Sequence, residues 1–242
     1  MNLSNLGYAD DIKQGKDTVG GGRTLLESDV YPATIKAAFL GTSSGGATSL
    51  TVLFDLGTSE YRETLYITNK AGKNFYTNSQ GEKNYLPGFV TADEICLLAA
   101  QKPLAKMTTE KKVFKVYNPT AKMEVPTEVD ALTELEGRQI KLGILQERRF
   151  KSVKQADGSY VDSSETQDSN IISKVFSAKH DKTANECRAQ VEEASFIQQW
   201  KERWKGKLSD RTAGKAPAST AGNPGAPRAV MGAGKPTESL FN

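Results

Sequence analysis

Residues 49–56 alternate: Leu50, Val52, Phe54 and Leu56 fall on one side, Thr51 and Asp55 on the other. A period of two over eight residues is the signature of a strand with one face in a core. The stretch is bracketed by Gly41-Thr-Ser-Ser-Gly-Gly46 and Gly57-Thr-Ser59, whose glycines and hydroxyl residues favour tight turns. Residues 31–40 before it and 61–68 after it are rich in β-branched and aromatic side chains. Three strands joined by short turns make an antiparallel meander. The third strand places Arg62, Thr64, Tyr66 and Thr68 on one face.

The remaining elements are read in the same way. Residues 69–84 form a loop rich in Asn, Gly and Lys, carrying Phe75 and Tyr76 and ending beside Tyr85. Pro87 and Thr91 introduce a helix over 92–101, with Thr91 as N-cap and Glu94 completing a capping box. Ile95, Leu98 and Ala99 share its apolar face, with Cys96 packing near them. Strand character returns at 111–117 and 138–150, where Ile140, Leu142 and Ile144 point to one side. Residues 151–169 read as a polar, hairpin-like insertion around Asp157-Gly158, and 170–177 as the closing strand. A last helix is expected over 183–207, with Trp200 and Trp204 on its packing face. Phe54, Phe114 and Phe176 are expected in the core. The organisation is thus a flexible N-terminal arm (1–23), a domain (24–207) and a disordered tail (208–242) poor in periodicity and rich in Ala, Gly, Pro, Ser and Thr.

Composition excludes several classes. No apolar run approaches the roughly 20 residues of a membrane-spanning helix. The first residues lack a basic-then-apolar leader, so a cytoplasmic location is expected. Cys96 and Cys187 lie in no paired motif and read as reduced thiols. The single histidine, His180, has no partner spacing that suggests a nucleophile or a zinc site, and the acids follow no metal-binding pattern. The triplet Gly20-Gly21-Gly22 is not followed by a phosphate-loop Lys. Neither catalysis nor a cofactor is expected. Net charge is only +3, but residues 100–154 hold twelve Lys or Arg against seven acids. A locally basic surface of this kind suits a phosphate-binding face, and equally an ordinary solvated one.

Three meandering strands, a helix between strands 3 and 4, and further strands describe a mainly β, Greek-key barrel of the oligonucleotide/oligosaccharide-binding (OB) type, with an additional C-terminal helix. Local phrases sharpen this: Val30-Tyr31-Pro-Ala-Thr-Ile-Lys36, Gly45-Gly-Ala-Thr-Ser-Leu-Thr51, Tyr61-Arg-Glu-Thr-Leu-Tyr-Ile-Thr68, Leu86-Pro-Gly-Phe89 and Leu135-Glu-Gly-Arg138. Together they resemble a family of bacteriophage-encoded single-stranded DNA-binding proteins with an OB core, over roughly residues 17–204. The resemblance implies sequence-independent coating of single-stranded DNA in phage replication or recombination, with replication or recombination proteins as further partners. The tail departs from replication-type binders, which end in an acidic run: residues 209–242 carry Arg211, Lys215, Arg228 and Lys235 against Asp210 and Glu238.

A binder of single strands needs rings for bases and cations for the backbone. Arg62 and Tyr66 share a face of the third strand, Lys70, Lys73, Phe75 and Tyr76 lie just beyond it, and Lys115 and Tyr117 share a face of the fourth. These eight are the candidate DNA-binding residues. The rival expectation is a structural or adaptor β module of a virion or replisome, whose aromatic loops meet protein.

Overall fold

The structure is a computed structural model and describes residues 25–118, 121–155 and 160–214; the N-terminal arm, the Asp157-Gly158 turn and most of the tail lie outside these. The fold is mainly antiparallel β. Strands β1 (Asp29–Thr42), β2 (Thr48–Asp55) and β3 (Glu60–Tyr66) form the meander. β1 is the shared element: its first half pairs with β8 (Gln139–Lys154) and its second half with β2. β8 in turn pairs with β9 (Tyr160–Ser177) and with β10 (Leu208–Asp210), giving the order β10-β8-β1-β2-β3 with β9 attached to β8.

The alternation read in the second strand is what the core uses. Leu50, Val52 and Phe54 are fully buried beside Ile35 and Ala38 of β1, Tyr61 and Leu65 of β3, and Ile140, Leu142 and Ile144 of β8. Lys36 is bulged out of the β1–β2 register between Ile35 and Ala37. The bulge lets one long strand bend and serve two ladders.

The sheet is not closed into a barrel: among the described residues no ladder joins β3 to β9. A side chain stands where such a ladder would run. Glu63 of β3 accepts the backbone N–H of Ile172 in β9 and the Tyr61 hydroxyl. Burial pushes the Glu63 carboxyl above its ordinary range against these two bonds.

Helix α1 (Pro87–Ala100) begins five residues earlier than expected. Its N-cap is Leu86, not Thr91. Proline at the first helical position needs no N–H partner and has its φ already set, so it starts the helix, and Thr91 falls inside it. Ala92, Ile95 and Cys96 bury its inner face, and burial pushes the Cys96 thiol up to about 12. At the helix's far end Lys102 and Thr108 both bond Glu134, which sits in a 3-10 turn (Thr133–Leu135). The Lys102 ammonium, then the Thr108 hydroxyl and N–H, hold the Glu134 carboxyl down to about 2. A depressed carboxyl stabilises the fold above its unfolded value near 4.5, and that contribution is lost as pH falls toward 2. The side-chain carbon of Glu134, followed by NMR, is expected to titrate at about 2 and to move up toward 4.5 in Lys102→Met; a wild-type midpoint above 4 would show that the contact does not persist in solution.

Four expectations need correcting. The loop 69–84 contains a separate hairpin, β4 (Phe75–Thr77) with β5 (Lys83–Tyr85), so two short strands precede α1. The fourth main strand, β6 (Glu110–Asn118), pairs with a strand not expected at all, β7 (Met123–Ala131). Pro126 is tolerated because, among the described residues, β7 pairs there with β6 alone and so has a free edge. The polar stretch 151–169 is hairpin-like as expected but is no separate insertion: it is the far end of the β8–β9 hairpin, whose register shifts between Phe150↔Thr166 and Ser152↔Asp162 and then runs on to Lys154↔Tyr160.

The fourth correction concerns the C-terminal helix, which is two: α2 (Ala184–Arg188) and α3 (Phe196–Trp204). Gln190 adopts a left-handed φ of 53° between them. Thr183 and Glu186 form a capping box on α2, and the other Glu186 oxygen accepts from Ser195 and Phe196 at the start of α3. Burial opposes ionisation of Glu186, yet the N–H groups of Thr183, Phe196 and Ser195 hold its carboxyl below the usual range. Ile197 and Trp200 dock α3 on Leu145 and Phe176 in a second, smaller core. Leu208–Asp210, at the start of the expected tail, is strand β10, parallel to β8. Arg211 just beyond it reaches the fully buried Glu147 of β8 at 2.8 Å, with Arg149 on the other oxygen.

Candidate nucleic-acid interface

The outer face of the meander carries Ala37 and Phe39 of β1, Ser49, Thr51 and Leu53 of β2, and Arg62, Thr64 and Tyr66 of β3. Leu53 stands opposite Arg62, Thr51 opposite Thr64 and Ser49 opposite Tyr66. At one end of this face, Tyr66 is 45% exposed. Gly88 at the start of α1 lies against the Tyr66 backbone: an added Cβ would sit 2.9 Å from its N and 3.0 Å from its carbonyl carbon. That close approach brings β4–β5 and the α1 N-terminus to the end of β3.

Two turns of the same form build the rim. Asn69-Lys-Ala-Gly-Lys73 and Asn78-Ser-Gln-Gly-Glu82 each start with an Asn whose carbonyl accepts two N–H groups, Ala71 and Lys73 in the first, Gln80 and Glu82 in the second. Each has its glycine at positive φ, 72° and 83°. Asn side chains mimic a backbone turn and glycine tolerates the left-handed conformation, so the pattern fixes both loops. The first turn presents Lys70 and Lys73. The second reverses the chain so that Phe75 pairs with Tyr85 and Thr77 with Lys83.

Phe75 therefore sits between two cations, Lys73 Nζ 5.8 Å and Lys83 Nζ 5.3 Å from its ring centroid. Tyr85 is 61% exposed and its ring lies 5.2 Å from that of Phe89. Lys83 and Tyr85 were not among the expected site residues; the repeated Asn-x-x-Gly turn, which sets their pairing with Phe75, was the signal for them. Tyr76 is half-buried at the same hairpin. Among the described residues, Lys70, Lys73 and Lys83 make no ion pair. The nearest acid in sequence, Glu82, is bonded by the Asn78 amide at 2.8 Å.

The other expected residues lie apart. Arg62 is farther along β3, 5.9 Å above the Phe39 ring and 3.4 Å from Glu124 of β7. Lys115 and Tyr117 share an exposed face of β6 with Val113, on an arm whose one ladder pair with the main sheet among the described residues is Phe39↔Ala131. Phe114, expected in the core, is half-buried and stacks on Phe39 at 5.0 Å. Most of the basic excess of residues 100–154 is neutralised: Lys102, Lys111, Lys112, Lys141, Arg148, Arg149 and Lys151 each face a carboxylate. By contrast, Lys73 and Lys83 stand beside the Phe75 ring and Lys70 lies against Gly45 of the β1–β2 turn, with no acid paired to any of the three among the described residues. His180 is exposed, and the described residues contain no group of His, Cys, Asp and Glu able to hold a metal.

Comparison of the chain with protein-family models, with curated proteins and with solved structures gives no match. No helix among the described residues is long and apolar enough to cross a membrane.

Proposed function

We propose that this protein binds single-stranded DNA, largely independently of sequence and without catalysing a reaction, in phage DNA replication or recombination. The observation that carries the reading is the rim at the end of β3: exposed rings of Tyr66 and Tyr85, Phe75 between two lysines, and three lysines without carboxylate partners among the described residues. Rings accept any base by stacking, and ammonium groups follow the phosphates without reading sequence. The strand order supports the finer fold reading, an open OB-type arrangement. In it β1 is shared by the β2–β3 and β8–β9 halves, and α1 packs against β3 and β9. The phage setting is carried by the sequence resemblance alone.

Fluorescence anisotropy of labelled oligo-dT, measured over a series of salt concentrations, tests the reading. Binding is expected to weaken as salt rises. The Lys70→Ala, Lys73→Ala, Lys83→Ala triple variant is expected to flatten the slope of log K against log salt by about 2, since each phosphate neutralised on a single strand accounts for about 0.7. Phe75→Ala or Tyr85→Ala is expected to weaken binding by about 1–3 kcal/mol each, with Phe75→Ala shown to remain folded. An unchanged salt slope in the triple variant would remove the rim as the interface. Double-stranded DNA and single-stranded RNA of equal length are the comparison ligands.

A second reading, a structural or adaptor module, is favoured by one observation: Val113, Tyr117 and Met123 are all exposed on the β6–β7 arm, where a protein partner would cover them. A defined oligomer indifferent to nucleic acid would support it.

A further inference from the structure

Phe39 is 3% exposed yet belongs to neither core; it lies on the outer face of β1, away from the packed interior. What covers it is the β6–β7 arm and Arg62. Phe114 lays its ring on the Phe39 ring, 5.0 Å between centroids and 17° from parallel. The Arg62 guanidinium stands over the same Phe39 ring, and Glu124, opposite Tyr117 in the β6–β7 ladder, brings a carboxylate to it. An aromatic ring stacked on a sheet aromatic, with an anion on the neighbouring arginine, is the contact set that a nucleotide makes with a single-strand binder. We propose that the β6–β7 arm occupies part of the binding face as an internal nucleotide mimic, Phe114 in the position of a base and Glu124 in that of a phosphate. An incoming strand must then displace it.

This rests on the nucleic-acid reading of the face and extends it from the β3 rim to the Arg62–Phe39 segment. The arm is built for displacement. Among the described residues the arm's ladder is between its own two strands, and its backbone meets the main sheet only at its base, at the pair Phe39↔Ala131 and the adjoining Leu132 N–H to Ala38 carbonyl bond; farther out it meets that sheet through the Phe114 ring and Glu124. Lifting the arm therefore leaves the β1–β2–β3 and β8–β9 ladders intact. The surface that the arm now covers would gain a ring and a cation in line with Tyr66, lengthening the track along β3. The Glu124–Arg62 pair is solvent-accessible, with side chains 52% and 32% exposed, so it is a weak contact that a polyanion can replace.

The test uses the full chain and oligo-dT at low salt. Glu124→Gln removes the competing carboxylate and is expected to tighten binding about threefold, the size of a typical exposed pair, with the gain fading as salt is added. Glu128→Gln is the control: it removes the same charge from the same arm, opposite Val113, and makes no ion pair among the described residues. General electrostatics would tighten both variants equally, whereas mimicry tightens Glu124→Gln alone, and the gain disappears in an Arg62→Met background. Glu124→Gln binding no tighter than wild type, or no tighter than Glu128→Gln, overturns the proposal. If wild type binds and the rim lysine variant weakens it, but Glu124→Gln is neutral, only the mimic fails. If wild type does not bind oligo-dT at all, the nucleic-acid reading falls and the mimic with it.

Discussion

Trp200→Ala is expected to lower the unfolding free energy by about 4 kcal/mol, within the usual cost of emptying a buried indole site. Trp200 is 4% exposed and is the largest side chain of the second core, with Leu145, Phe176 and Ile197 around it. Its indole N–H also donates to Ser173 Oγ at 3.3 Å. The ring lies against Gly143 of β8, where an added Cβ would be 3.1 Å from Cε2 and 3.2 Å from Cζ2. The seat is thus shaped for this one ring, and a glycine floor has no side chain to fill the space it leaves. Because α3 leads directly into β10, loss of the anchor is expected to free Leu208–Asp210 as well. Urea denaturation followed by circular dichroism gives the energy, and amide hydrogen exchange at Leu208–Asp210 reports the release. A change below about 1 kcal/mol would mean that α3 is not docked in solution.

The second large effect is expected at Gly88, and there two physical terms differ in sign. Helix propensity alone would have Gly88→Ala stabilise α1 by up to about 1 kcal/mol. The close approach to the Tyr66 backbone predicts the reverse. The new Cβ would fall on the Tyr66 carbonyl oxygen and 2.9 Å from its N, and backbone atoms on both sides cannot yield as a flexible side chain can. The clash is expected to win, with a loss of about 3 kcal/mol, the upper part of the range for overpacking. Relief would require α1 and β3 to separate at the point where the rim is assembled. Oligo-dT binding by the folded fraction is therefore expected to fall together with stability. A stabilised Gly88→Ala variant would show that the contact is looser than the structure has it.

The parts of the fold and the face that the sequence makes legible are those with local signals. The alternation of Leu50, Val52 and Phe54 gave β2 and its inward face because strand geometry fixes it locally. The start of α1 was equally open to reading in Pro87 but was displaced to Thr91 by a capping-box pattern, Thr91 to Glu94, that lies inside the helix. β7 alternates Val125, Thr127, Val129 and Ala131 with Glu124, Pro126, Glu128 and Asp130. Its proline and acids hid a strand that only an outer position permits. Tyr66, Lys70, Lys73, Phe75 and Tyr76 were found as a group since they are close in sequence. Lys83 and Tyr85 joined them through a hairpin whose second turn repeats the first.

Sequence alone settled what depends on near neighbours: which residues alternate, where Asn and Gly reverse the chain, and which rings and cations fall in one short stretch. Tertiary structure decided everything that depends on partners far along the chain. It paired most cations of residues 100–154 with carboxylates and, among the described residues, left the rim lysines without them. It also buried Phe39 beneath Phe114, and it linked β3 to β9 through the Glu63 side chain and the Ile172 N–H rather than through a ladder among the described residues. Turn and strand preferences act over a few residues, whereas the burial of a ring or the screening of a charge is set by whatever the fold brings alongside it.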